Sequence, residues 1–319
     1  MRAVERHSIR AADHYNGASA ASESFMQKSL EHLIALLDLE EIDVNHYRGS
    51  SPNEGWQRVY GGQVIGQALV AASRTVTPER PAHSLHGYFL RPGDTSVPIL
   101  YVVDRIRDGK SFTTRRVVAV QHGKAIFNMA ISFQTIEDGL THQFDMPDVP
   151  APDELEDEVT LRKRWSKDLP PEYREGFTRE RPIEVRPIDP YNFFDPAKRA
   201  PFYNCWMRAR DALPEDPRLH QCVLAYLSDW ALLDTSLMPH GISYMQQNVQ
   251  SASLDHAMWF HRSFRADDWL LFIQDSPSAS GARGFNRGLI YRRDGALVAS
   301  VAQEGLIRLH PPQRSGASH

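Results

Sequence analysis

One feature constrains this chain more than any other: its helix-then-strands pattern occurs twice. A helical stretch opens at Gly61-Gly62-Gln63, runs through Val64, Ile65, Ala68, Leu69 and Ala72, and breaks near Thr77-Pro78. Strand-like runs follow at His83 to Leu90, Val97 to Arg107, Ser111 to His122 and Ala125 to Gln134, divided by Arg-Pro-Gly-Asp, Arg-Asp-Gly-Lys and His-Gly-Lys turns. A second helix spans about Leu219 to Leu237, then come the turn Met238-Pro239-His240-Gly241 and strand-like runs to Ile307. The copies align residue by residue. Gly123 to Phe127 meets Gly295 to Ala299 at 295 − 123 = 172, and Arg115 meets Arg287 at 287 − 115 = 172. His83 to Phe89 faces Leu254 to Phe260 at 260 − 89 = 171. A period this long is domain duplication, because solenoid units run about 20 to 50 residues. The implied class is α+β: two fused units, each a buried helix covered by an antiparallel meander.

The length of 319 residues fits two such units. Residues 1–23 are expected to form a flexible arm, 24–136 the first unit, 137–190 a connector, 191–310 the second unit and 311–319 a tail. Ser24 and Gln27 have capping-box spacing ahead of Leu30, Leu33, Ile34 and Leu37, so a short amphipathic helix opens the first unit. The connector is marked by Pro147, Pro150, Pro152 and Pro170-Pro171, and by the acidic run Asp153 to Glu158.

Composition removes several classes of function. Hydrophobic residues at 41% and charged residues at 24% are those of a globular chain, and a net charge of −4 offers no broad positive field to nucleic acid. No segment reaches the ~20 apolar residues of a membrane span, and the charged N-terminus lacks a secretory apolar run. Cys205 and Cys222 lack the paired spacing of a zinc or redox motif. A cytoplasmic protein without a metal or redox cofactor is expected.

Chemistry is expected where one copy breaks the apolar pattern of the other, because polar groups facing a core cost free energy unless partnered. The last strand of the first unit sends Ala125, Phe127, Met129, Ile131 and Phe133 to one face; its counterpart sends Leu297, Ala299, Val301 and Gln303. At 303 − 131 = 172, an amide replaces a hydrocarbon. The second break is Asp229, the lone charge in the run Val223 to Leu233, read as helical. Buried, such a carboxylate has a raised pKa and can act as a general base; facing solvent or an arginine, it is structural. Gly-x-Ser-x-Gly, Walker and His-Glu-x-x-His motifs are absent from the sequence. A triad of Ser253, His256 and Asp229 is disfavoured, because residues three apart on one strand point to opposite faces.

Over roughly Ser29 to Leu309 the chain resembles the acyl-CoA thioesterase II family, the double-hotdog thioesterases. The resemblance rests on Val59 to Ala68 (VYGGQVIGQA), His83 to Asp94 (HSLHGYFLRPGD), Leu254 to His261 (LDHAMWFH) and Ala302 to Gly305 (AQEG). It implies a double hotdog that hydrolyses fatty acyl-CoA to free fatty acid and CoA, with Asp229, Ser253 and Gln303 ordering an attacking water and no covalent intermediate. Ser253 stands where some members carry threonine, and either hydroxyl serves. Gly61 and Gly62 could offer backbone N–H groups to the carbonyl oxygen, or merely let the helix pack closely. Arg283 and Arg287 are candidate partners of CoA phosphates, or else solvated surface arginines. The runner-up readings are a hotdog hydratase or dehydratase and an inactive acyl-CoA sensor. Assembly into a homodimer or homotetramer is expected by analogy. The peroxisomal ending Ser-Lys-Leu is absent from the final residues Ser315 to His319.

Overall fold

The computed structural model describes residues 33–51, 58–167, 171–179 and 181–311. The expected arm 1–23, the start of the helix at Ser24 and the tail from 312 lie outside them; residues 33–37 are the described end of that helix. The first unit contains β1 (Glu40–Asp43), β2 (His46–Gly49), α1 (Gly61–Ser73), β3 (Ala82–Phe89), β4 (Ile99–Asp108), β5 (Phe112–Gln121) and β6 (Lys124–Gln134). Then come α2 (Glu158–Trp165), α3 (Pro171–Thr178), β7 (Ile183–Pro187), β8 (Phe202–Ala209) and α4 (Pro217–Leu227). The chain closes with β9 (Val249–Ser253), β10 (Asp255–Phe260), β11 (Leu270–Ser280), β12 (Arg283–Arg292) and β13 (Leu297–Leu309).

The strands form one antiparallel sheet in the order β1-β2-β4-β5-β6-β3-β10-β13-β12-β11-β8-β7, with β9 added to β13. Each half repeats the other about the β3·β10 seam, where Tyr88 pairs with Asp255 and Trp259 with Ser84. This is the expected α+β double hotdog. Helix α1 is buried nearly all round because it lies inside its half of the sheet, with Ile65, Ala68 and Leu69 wholly covered. Two glycines let α1 and α4 touch backbone to backbone. A Cβ on Gly62 would stand 2.2 Å from the Tyr226 carbonyl oxygen, and one on Gly66 would stand 3.1 Å from that of Cys222.

Register corrects part of the sequence alignment. Ile131 pairs with Arg115, whereas Gln303 pairs with Asn286, so the counterpart of Arg115 is Asn286 at 286 − 115 = 171. Arg115 and Asn286 both point inward and are buried, while Arg287 points outward. Lone sequence matches drift by one residue across a hairpin; strand pleating does not permit it.

The segment 137–190 holds more structure than a connector. Asp157 caps α2 by accepting the Val159 N–H at 3.4 Å, and Glu158 pairs with Arg162 at 3.0 Å, so part of the acidic run starts a helix. Strand β7 pairs with β8 and closes the second half of the sheet, with Pro187 inside it. As an edge strand, β7 tolerates a proline that argues against a strand in a sequence reading.

Candidate active site

Helix α4 stops at Leu227 rather than continuing to Leu237. Ser228 is its C-cap, Ala231 adopts φ +56°, and short 3-10 turns follow at Leu233–Ser236 and Met238–His240. This left-handed step is uncommon for a residue with a Cβ. Through the break, Asp229 leaves the helix and meets the N-terminus of α1 in the other unit. Its Oδ2 accepts the Gly62 N–H at 2.9 Å, and a Cβ on Gly61 would lie 2.7 Å from that oxygen. Gly61 and Gly62 therefore make room for a carboxylate. The Gly62 N–H, an expected donor to substrate, is already taken by Asp229, whereas no bond of the Gly61 N–H occurs among the described residues.

Gln303 of β13 donates from Nε2 to Asp229 Oδ1 at 2.6 Å and to His256 Nδ1 at 3.2 Å. Both amide hydrogens are engaged, and Gln303 Oε1 is buried without a partner among the described residues. An unmet acceptor of this kind costs about 1–3 kcal/mol unless something donates to it. Burial drives the Asp229 pKa up to about 6, against the opposing pull of the Gln303 and Gly62 hydrogen bonds. The same desolvation takes His256 down to about 3, so it stays neutral. Asp234, five residues on, is pushed up to about 7 by burial and by the nearby negative charges of Glu158 and Asp229, with Arg162 opposing.

Ser253 ends β9 directly opposite Gly305, so its side chain lies on the same face as Gln303, two residues along β13. The strand then shifts register: Ser253 pairs with Gly305, but Ala257 pairs with Ala302. One extra residue has been inserted, a β-bulge, and the freed Glu304 N–H is taken by Asp255 Oδ1 at 2.7 Å. The bulge reverses the side-chain alternation. Ser253 and His256 thus share the inner face, which corrects the expectation that they point apart.

The first unit supplies an internal comparison for this site. Its corresponding inward residues are Ala82 for Ser253, Leu85 for His256 and Val103 for Gln274 at a shift of 171, and Ile131 for Gln303 at 172. Where Asp229 follows the cap of α4, Thr75 follows the cap of α1, and Arg115 donates to its Oγ1 at 2.8 Å and to its carbonyl at 3.1 Å. The second copy is thus polar at a run of positions, of which sequence comparison had isolated only Asp229 and Gln303. Gln274 and Asn286 escape the sequence reading, and His256 is considered there only as a disfavoured triad member, although the shift of 171 sets it against Leu85 and thus carries the signal.

Arg283 and Arg287 are not brought to this site. Both leave β12 on the face opposite Asn286, and each holds a carboxylate: Glu304 at 2.8 Å and Asp275 at 2.7 Å. Outward alternation from Gly284, Asn286 and Gly288 dictates this placement. Among the described residues, no group of three or more His, Cys, Asp or Glu side chains has the arrangement of a metal site.

Fold and site together define a double-hotdog protein with an unmet hydrogen-bond acceptor beside a raised-pKa carboxylate. Residues 173–306 match the family model of acyl-CoA thioesterase, and residues 50–134 match that of the acyl-CoA thioesterase N-terminal domain. Acyl-coenzyme A thioesterase 8 of Mus musculus is 46% identical, over 87% of this chain and 89% of its own. Acyl-CoA thioesterase 2 of Haemophilus influenzae is 41% identical, over 89% of this chain and 99% of its own. The crystal structure of acyl-CoA thioesterase II TesB2 from Mycobacterium marinum superposes with a TM-score of 0.70 at 46% identity, covering 88% of this chain and 99% of that one. A hotdog-fold protein from Alicyclobacillus acidocaldarius, 19% identical with a TM-score of 0.70 over 88% of this chain and 99% of its own, shares the fold. The chain belongs to the acyl-CoA thioesterase family.

Proposed function

We propose that this protein hydrolyses fatty acyl-CoA to free fatty acid and CoA through a water activated at Asp229. The observation that carries the reading is the pairing of Asp229 with Gln303, which leaves Gln303 Oε1 as a free acceptor beside a carboxylate with a pKa of about 6. A water there gives one proton to Asp229 and keeps the other, which it donates as a hydrogen bond to Oε1, with the Ser253 hydroxyl as its further partner. Its oxygen attacks the thioester carbonyl carbon, and the Gly61 N–H at the start of α1 faces the charge that develops on the carbonyl oxygen. When the C–S bond breaks, the proton held by Asp229 passes to the CoA sulfur. Atoms balance with one water consumed and no acyl-enzyme formed.

Stopped-flow mixing with excess acyl-CoA tests this reading. CoA thiol and fatty acid are expected to appear together from the first turnover. A burst of thiol ahead of acid would contradict direct water attack, and tight binding without either product would contradict hydrolysis.

The reading extends to a cytoplasmic homodimer or homotetramer. Support for the location comes from Cys205 and Cys222, both buried and unbonded, as thiols in a reducing compartment are. Support for assembly comes from the outer face of the seam, where Tyr88 is 60% and Trp259 36% exposed.

A further inference from the structure

Behind Gln303 lies a directed chain of hydrogen bonds. Gln303 Nε2 reaches His256 Nδ1 at 3.2 Å, His256 Nε2 reaches Ser228 Oγ at 2.9 Å, and Ser228 Oγ reaches the Ala225 carbonyl at 2.9 Å. Only one assignment of protons satisfies it. The Ala225 carbonyl can only accept, so the Ser228 hydroxyl donates to it and must accept from His256. His256 therefore carries its hydrogen on Nε2 and presents a bare Nδ1, which obliges Gln303 to offer its amide N–H. That orientation sets Nε2 against the Asp229 carboxylate and leaves Oε1 free.

Reversing the amide would set Oε1 against the acceptor-only Asp229 and against Nδ1, two repulsive contacts. His256 is 1% exposed and Ser228 wholly buried, so no bulk water can substitute for either. The fold does not demand a histidine here, since Leu85 fills the corresponding position of the first unit. Resting on the assignment of Asp229 as base, we propose that His256, oriented by Ser228, is a positioning residue that fixes the Gln303 amide so that its oxygen faces the attacking water and its nitrogen faces Asp229.

The titratable groups around Asp229 are few. Tyr60 stands at the start of α1, Asp234 lies in the turn after Ala231, and His256 lies behind Gln303 on β10. Arg181 faces Tyr60 from the segment before β7. His256 differs from the others in acting through the Gln303 amide. A free amide could turn its oxygen to a protonated Asp229, which favours the protonated carboxyl.

The test compares kcat, KM and the acid limb of the pH profile for acyl-CoA hydrolysis in the full chain carrying His256→Leu, His256→Asn, Ser228→Ala or Asp229→Asn. His256→Leu is expected to lower kcat by roughly a hundredfold with little change in KM. It should also move the acid limb up by about one pH unit, since the deprotonated Asp229 loses a fixed donor. His256→Asn places an amide oxygen near the Nδ1 position and should recover at least about tenfold of that loss. Wild-type kcat and pH profile in His256→Leu, or equal losses in the Leu and Asn variants, would overturn the proposal. Should His256→Leu not fold, Ser228→Ala decides: an upward shift of the acid limb supports the proposal, and an unchanged profile overturns it. Retained activity in Asp229→Asn removes the base assignment itself; an inactive Asp229→Asn beside a normal His256→Leu removes only the positioning role.

Discussion

The carboxylate of Asp229, in the second unit, accepts the backbone N–H of Gly62, in the first, at 2.9 Å. The duplicated units are thus joined at the site itself, with the end of α4 set against the start of α1. Neither unit alone would hold the carboxylate, because its partners Gly62 and Gln303 come from different halves of the sheet.

Gly62→Ala tests that junction. The new Cβ would meet the Tyr226 carbonyl oxygen at 2.2 Å and the Tyr60 ring at 2.5 Å, which forces the two helices apart. The variant is expected to lose about 1–3 kcal/mol of stability in urea unfolding and most of its activity. Wild-type activity with an unchanged unfolding midpoint would show that the helices do not meet here.

The pH profile follows from the raised pKa of Asp229. A base must be ionised, so kcat/KM should fall about tenfold per unit below pH 6 and level off above it. Stability runs the other way. The folded state holds this proton more tightly than the unfolded chain does, so the associated stability is full below pH 4 and is lost as pH rises through about 6. Asp229→Asn should flatten that part of the stability curve, as thermal melts from pH 4 to 8 would record; an unchanged slope would mean that Asp229 ionises normally.

Much of this was legible in the chain. The duplication predicted the two helices, the strands β3 to β6 one by one, and strand-like runs in the second unit up to Ile307, because inward alternation and turn chemistry are local signals. Asp229 and Gln303 emerged as polar intrusions in one copy. What local signals do not carry is backbone geometry. The break of α4 at Ser228, the bulge between Ser253 and His256, and the edge position of β7 each depend on contacts far away in sequence. His256 was set aside for that reason: without the bulge its side chain would face away from Ser253.

Arg115 fills the inner face of the first unit where Asn286 stands in the second. It is 1% exposed, holds Asp108 at 2.6 Å and donates to Thr75. Arg115→Ala removes the donors to the Thr75 and Arg107 carbonyls and opens a cavity, while the exposed Asp108 stays solvated, and is expected to cost about 2–5 kcal/mol. Arg115→Met fills the volume without charge and should cost far less. Equal losses in urea unfolding would mean that the charge network, not the filled space, holds this region.

The central claim is that a single carboxylate, Asp229, activates water against an acyl-CoA thioester. Thiol release from a series of short to long acyl-CoAs, followed side by side for the native chain and Asp229→Asn, tests it most directly. The account predicts rapid release by the native chain and a loss of about two decades or more in kcat/KM for the variant. Release undiminished in Asp229→Asn would contradict it.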